Sequence, residues 1–212
     1  MDNILIKDGV KYIPYKFKKE TGNAQYEEIV LKHYKEIFGE NSILFPKKKI
    51  KTISGVGSIP DAFVISLDET KWYVVEVELS THEIYNHIVP QITKFQNAIK
   101  QNSTLKNIKN FFYDGIKSDP KKIALFQEKG IGEIHKSVSD ILDSDPEIII
   151  IIDENTKELD QVCSTLHIKK PIVFKTFKKN VSENVFIHQF NSLDQALNNR
   201  PKKIQLYKQL SH

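Results

Sequence analysis

Apolar and polar residues alternate along the first twenty positions, where Ile4, Ile6, Val10 and Tyr12 are interleaved with Lys7 and Lys11. A period of two marks extended chain, and Asp8-Gly9 between the runs is a tight-turn pair. The pattern predicts a hairpin, read as an appendage to the core. The period then changes. Over 24–38, Tyr26, Ile29, Val30, Tyr34, Ile37 and Phe38 recur at helical spacing, with Thr21-Gly22-Asn23 as a start signal and Gly39 as a stop. Three extended segments follow at about 43–53, 59–67 and 71–79, separated by Ser54-Gly55-Val56-Gly57-Ser58 and by Asp68-Glu69-Thr70. They read as an antiparallel meander. A helix over about 84–100 carries the stripe Ile84, Ile88, Ile92, Phe95 and Ile99, with Pro90 as a kink or a start.

Beyond this, 105–145 reads as helices and loops, with 134–142 the clearest helix, and 147–152 is an apolar run suited to a strand buried on both faces. A helix at 159–166 and strands at 172–177 and 185–190 complete the pattern. The order α-β-β-β-α-β predicts an α/β fold with a mixed central sheet flanked by helices. One domain is expected over 1–212: a hairpin extension (1–20), a core (22–155) and a C-terminal helix with strands (156–212). No internal repeat or low-complexity tract interrupts it.

Composition narrows the class. With 40% hydrophobic and 27% charged residues the chain is a folding one, not a disordered one. The single cysteine, Cys163, excludes an internal disulfide and sits in an apolar stripe as a buried small residue. The longest purely apolar run, 148–152, is far short of a membrane helix, and no secretory signal pattern opens the sequence, so the expectation is a cytoplasmic protein without membrane partners. A net charge of +4 does not by itself mark a nucleic-acid binder. Its distribution says more: lysines gather at Lys16, Lys18 and Lys19, at Lys47, Lys48, Lys49 and Lys51, and at Lys202 and Lys203, while acids gather between Asp140 and Asp160.

The stretch with chemistry in it runs from Pro60-Asp61 to Glu76-Val77-Glu78. On a strand, residues two apart share a face, so Glu76 and Glu78 lie on the side of Trp72 and Val74, roughly 6 to 7 Å from each other. Tyr73, Val75, Val77 and Leu79 cover the other side. Across a hairpin, a four-residue connection pairs Asp61 with Glu78 and a two-residue connection pairs it with Glu76; either places three carboxylates on one face. Like charges gathered on a partly buried face repel and are costly to desolvate. A hard divalent cation such as Mg²⁺ or Mn²⁺ compensates them. The alternative is a strand whose end is simply wet.

Pro60-Asp61, then Glu76-Val77-Glu78, preceded by a glutamate-bearing helix and followed by another helix, resembles the PD-(D/E)XK nuclease superfamily, the restriction-endonuclease-like fold. The resemblance spans roughly 22–155. It implies Asp61 and Glu76 as metal-binding carboxylates, the Val77 carbonyl as a further ligand, and Mg²⁺ or Mn²⁺ as cofactor. Glu78 stands where the family usually has lysine. Gln91-Ile92-Thr93-Lys94-Phe95 is similar to the family's Gln-x-x-x-Tyr element, which makes Lys94 a candidate for a migrated cation beside Gln91. Glu27, at the edge of the first helix's apolar stripe, resembles the helical glutamate that reaches the metal, whereas Glu28 belongs with Lys32 on the wet face.

The resemblance implies metal-assisted hydrolysis of phosphodiester bonds in DNA, with RNA left open, in restriction or anti-phage defence or as the cutting subunit of a larger complex. A second ion near Glu78 and Glu27 would stabilise the leaving oxygen. The basic strand with Lys47, Lys48, Lys49 and Lys51 would hold the nucleic-acid backbone. A homodimer or a larger nuclease complex is the open assembly question. The rival reading is an inactive nuclease-fold module that binds nucleic acid or scaffolds a partner. Two other motifs are set aside. His82 and His87 are five residues apart, about 140° around an α-helix, so they do not share a face as zinc-protease histidines do. The Gly55/Gly57 pair has no following helix to cradle a phosphate.

Overall fold

The computed structural model describes residues 4–18, 22–51, 57–179, 185–198 and 205–210. In chain order its strands are β1 (Leu5–Lys7), β2 (Val10–Pro14), β3 (Ser42–Phe45), β4 (Ile50–Lys51), β5 (Gly57–Ser58), β6 (Ala62–Ser66), β7 (Lys71–Glu78), β8 (Glu147–Ile152), β9 (Ile172–Val173), β10 (Lys175–Lys179), β11 (Val185–Phe190) and β12 (Gln205–Leu210). The helices are α1 (Gly22–Lys32), α2 (Tyr34–Phe38), α3 (Val89–Ile99), α4 (Asn102–Lys117), α5 (Pro120–Glu128), α6 (Ile134–Leu142), α7 (Lys157–Thr165) and α8 (Leu193–Asn198), with a π-helical turn at Ile84–Ile88.

The central sheet has the order β3-β6-β7-β8-β9. The first three strands are the expected antiparallel meander, whereas β8 runs parallel to β7 because α3 to α6 carry the chain back to the starting edge. The fold is thus mixed α/β around a mixed sheet, as the element order predicts. Both faces are covered. On one, Phe63, Ile65, Trp72, Val74, Ile148 and Ile150 pack against apolar residues of α3 to α7. On the other, Val64, Tyr73, Val75, Val77, Ile149 and Ile151 pack against Tyr26, Ile29 and Val30 of α1 and Ile37 and Phe38 of α2. After Glu147, β8 therefore runs through five consecutive buried isoleucines, the composition of a strand without a wet side.

Three expectations change in detail. The long first helix is two, because His33, at φ −97° and ψ 20°, breaks it before α2; Gly39, at φ 103°, then ends α2 in a conformation that side chains disfavour. The hairpin turns at Asp8-Gly9, both with positive φ, but it is no mere appendage: β2 pairs antiparallel with β10 in a second sheet, β1-β2-β10-β11-β12. N-terminal and C-terminal segments thus share one sheet, tied to the core where the Tyr26 hydroxyl donates to the Phe174 carbonyl at 3.0 Å. Finally, the basic segment is not a continuous strand. Pro46 to Lys49 form an exposed irregular stretch between β3 and β4.

Candidate metal centre

The register of the β6/β7 hairpin decides where the carboxylates fall. Ser66 pairs with Lys71 and Ala62 with Val75, so the connection is the two-residue one and Asp61 stands at the level of Glu76. β6 begins at Ala62, with Asp61 in a bend just before it. Freed from the ladder, the Asp61 side chain replaces the missing strand: its Oδ2 accepts the Val77 N–H at 2.8 Å. The N–H and C=O of one strand residue point to the same side within the sheet plane, so the Val77 carbonyl also faces Asp61.

Helices approach this strand end from both faces. α1 supplies Glu27, and Lys47 from the irregular basic stretch lies between the two acids. Its Nζ donates to Glu27 Oε2 at 2.7 Å and to Asp61 Oδ1 at 3.0 Å. Glu28 sits instead on the exposed face, paired with Lys32 at 2.8 Å. From the other face α3 supplies Gln91, whose Nε2 donates to Glu76 Oε2 at 2.7 Å. Glu76 is 1% exposed, and its other oxygen, Oε1, has no hydrogen-bond partner.

That orphaned oxygen sets the electrostatics. Burial holds the Glu76 carboxyl well above the usual carboxylate range, and the charges of Asp61 and Glu78 push it further in the same direction. Glu27 is also raised, chiefly by burial and against the pull of Lys47. For Glu78 burial again leads and lifts the carboxyl to about 7, while His87 pulls it down. Lys47 is raised, since its two carboxylate partners outweigh its own loss of water. Glu76, Asp61 and Glu27 are near enough to feel one another's charge, while the group of three metal-ligating side chains whose donor atoms converge within 4.8 Å among the described residues is Glu78, His82 and His87.

Glu78 turns to different partners. Its Oε2 lies 2.5 Å from His82 Nδ1 and its Oε1 3.2 Å from His87 Nε2. The charges of Asp61 and Glu27 act on it as well, but its direct partners are the two imidazoles. The sequence argument against the two histidines assumed an α-helix. The chain there is a bend followed by the π-helical turn, in which Ile88 N–H bonds the carbonyl of Glu83, five residues back, so both rings reach one carboxylate.

Lys94 is not part of this constellation. It is exposed on α3 and, among the described residues, makes no hydrogen bond or ion pair with the carboxylates. The site's lysine is Lys47, which the sequence pattern grouped with the backbone-binding lysines. Lys48 lies over the Phe111 ring, 5.0 Å from its centroid; Lys49 is exposed; the side chain of Lys51 lies outside the described residues. All of the carboxylates sit at the C-terminal end of the parallel β7/β8 pair, the end where open α/β sheets hold their ligands. A cleft of about 480 Å³ lies at the opposite end, lined by Gln96, Asp145, His167 and Lys169 among others, and holds no comparable cluster. Among the described residues no helix is long and apolar enough to cross a membrane. Comparison with protein-family profiles, curated proteins and solved structures finds no match for this chain.

Proposed function

We propose that the chain is a metal-dependent nuclease with a restriction-endonuclease-like core, hydrolysing phosphodiester bonds in DNA. The observation that carries this reading is Glu76: a fully buried carboxylate with one oxygen oriented by Gln91 and the other unpartnered, beside Asp61. Such a group is costly in a merely structural role and is compensated by a cation. Asp61, Glu76, the Val77 carbonyl and Glu27 would hold Mg²⁺ or Mn²⁺. Bound there, the ion would supply an activated water and neutralise charge on the scissile phosphate.

The chain's own residues do the rest. Gln91 fixes the orientation of Glu76, and the Val77 N–H fixes that of Asp61. Lys47, on a half-exposed side chain between Glu27 and Asp61, places a positive charge at the mouth of the site, the role first assigned to Lys94. Lys48 and Lys49, adjoining it, provide sequence-independent contacts to a phosphate backbone.

A second reading has one observation in its favour. Glu78, where a lysine would be expected, is engaged by His82 and His87, as in a module that retains the fold for nucleic-acid binding without turnover. Purified protein incubated with supercoiled plasmid and Mg²⁺ or Mn²⁺ separates the two. The nuclease reading expects nicked or linear product, absent in EDTA and in Asp61→Ala and Glu76→Ala. Binding of plasmid with no cleavage in either metal supports the inactive module instead, and a parallel RNA substrate decides the nucleic acid.

A further inference from the structure

Glu78, His82 and His87 form the one group of three or more potential metal-ligating side chains of this kind found among the described residues, their donor atoms all within 4.8 Å of one another. The donors come from three different local structures: a strand end, a bend and the π-helical turn. The bend is held by the His82 N–H bonding the Leu79 carbonyl at 2.9 Å, and the start of the turn by the His87 N–H bonding the Glu83 carbonyl at 2.9 Å. The backbone thus fixes the two imidazoles, and their rings meet edge to face with centroids 5.0 Å apart. The carboxylate they share is 3% exposed, His82 is largely covered, and His87 is half exposed.

We propose that this trio is a binding site for a zinc-class transition cation, separate from the oxygen-ligand site at Asp61 and Glu76. Two imidazole nitrogens and one carboxylate oxygen are the ligands of three-residue zinc centres that keep a fourth position for water. Neutral imidazole suits Zn²⁺, Co²⁺ or Ni²⁺ and is a poor ligand for Mg²⁺, so the two sites select different ions by donor type. Zinc bonds of about 2.0 to 2.1 Å in a tetrahedron leave roughly 3.4 Å between donors. The contacts of 2.5 and 3.2 Å run through the two different oxygens of Glu78, and the three donors lie within 4.8 Å of one another, so the set closes on one ion by adjustments of about 1 to 1.5 Å. The half-exposed His87 side gives the ion a route in from solvent.

The proposal does not rest on the nuclease reading, and the two fail separately. The full chain is dialysed against Zn²⁺ in a large excess of Mg²⁺ and its bound zinc is measured; Co²⁺ in its place reports the ligand field by visible absorption. One retained equivalent of Zn²⁺ is expected, with a Co²⁺ spectrum of a four- or five-coordinate nitrogen-oxygen site. His82→Gln and His87→Gln should each weaken Zn²⁺ by at least about tenfold, because losing a direct ligand costs no less than losing an outer partner. Asp61→Ala should bind it unchanged. The protein has seven histidines, so ring resonances of the unmodified chain give a measurement independent of variant folding: Zn²⁺ should shift those of His82 and His87. No retained zinc, equal retention in both histidine variants, or shifts confined to other histidines would overturn the site whatever the cleavage assay shows.

Discussion

Strand β7 presents one face with two halves. Trp72 and Val74 at its start and Glu76 and Glu78 at its end are all buried, none more than 3% exposed. At the start, burial stabilises. Phe112 of α4 sits against Phe45 at 4.3 Å in a stack and against Phe63 and Trp72 edge to face, and the Trp72 indole N–H donates to the Ser144 carbonyl at 2.8 Å, so the polar atom of Trp72 is satisfied. At the end the same depth leaves a carboxylate oxygen without a donor. Equal burial thus has opposite energetic meanings 6 to 7 Å apart along a strand. The difference supports the proposal that the second half is a site and the first its foundation.

The largest effect should come from the apolar half. Phe112→Ala removes the ring that four other aromatics meet and leaves a cavity in the core. Urea unfolding followed by tryptophan fluorescence should show a loss of about 3 to 5 kcal/mol. A loss below about 1 kcal/mol would mean that the aromatic cluster is not the support of the β7 wall.

The acidic half should respond in the opposite direction. In EDTA, Glu76→Gln keeps the shape and replaces a carboxyl that the fold must hold protonated with a neutral amide, and the protein should become more stable by about 1 kcal/mol. The sign follows from the raised carboxyl. Below the ordinary value of 4.5 the group is protonated in both folded and unfolded chains and contributes no difference. Above it the unfolded chain releases the proton while the fold retains it, so the unmodified protein loses stability as pH rises and the variant does not. The gain should therefore grow as pH rises above the ordinary carboxyl value of 4.5. With Mg²⁺ present the same variant should lose cleavage by at least about a hundredfold. Equal or lower stability in EDTA at pH 8 would show that the buried charge is already compensated within the protein.

How much of this was legible in the chain depends on whether the governing interaction is local. The α-β-β-β-α-β order, the buried β8 and the acid face of β7 all follow from short-range periodicity, and they appear in the structure as read. The choice of Glu27 over Glu28 also follows from helical phase, and the structure places Glu27 at Lys47 and Glu28 at Lys32. What could not be read were partners set by irregular backbone. Pro46 to Lys49 look like a continuation of β3, and only the departure of the chain there brings Lys47 to Asp61 and Glu27. The His82 and His87 rings were assigned α-helical phase, and the π-helical turn voids that assumption. The hairpin's second role was hidden for another reason: pairing of β2 with β10 joins segments more than 150 residues apart, which no local pattern encodes. One local signal does point to Lys47: a lysine fourteen residues before Asp61 across a β-connection is near enough in a meander to share its site.

The smallest stability effect, and the sharpest on mechanism, belongs to Lys47. Its side chain is half exposed, which screens its pairs with the largely covered Glu27 and Asp61, so Lys47→Met should change stability by no more than about 1 kcal/mol. Its position nevertheless separates two roles that the sequence leaves merged. A lysine that grips the phosphate backbone contributes affinity and salt dependence; its removal weakens DNA binding and lowers the slope of log K against log salt by about 1, with the cutting rate of the bound complex kept. A lysine that holds charge at the carboxylates does the reverse. Removing it leaves Glu27 and Asp61 without their shared cation, so Mg²⁺ should bind as tightly or more tightly, the salt slope should stay, and the single-turnover rate should fall by at least about tenfold. The distances of 2.7 and 3.0 Å favour the second outcome, and filter binding across a salt series beside single-turnover cleavage decides it. A reduced slope with an unchanged rate would return Lys47 to the DNA-binding edge and leave the acidic half of β7 without a lysine of its own.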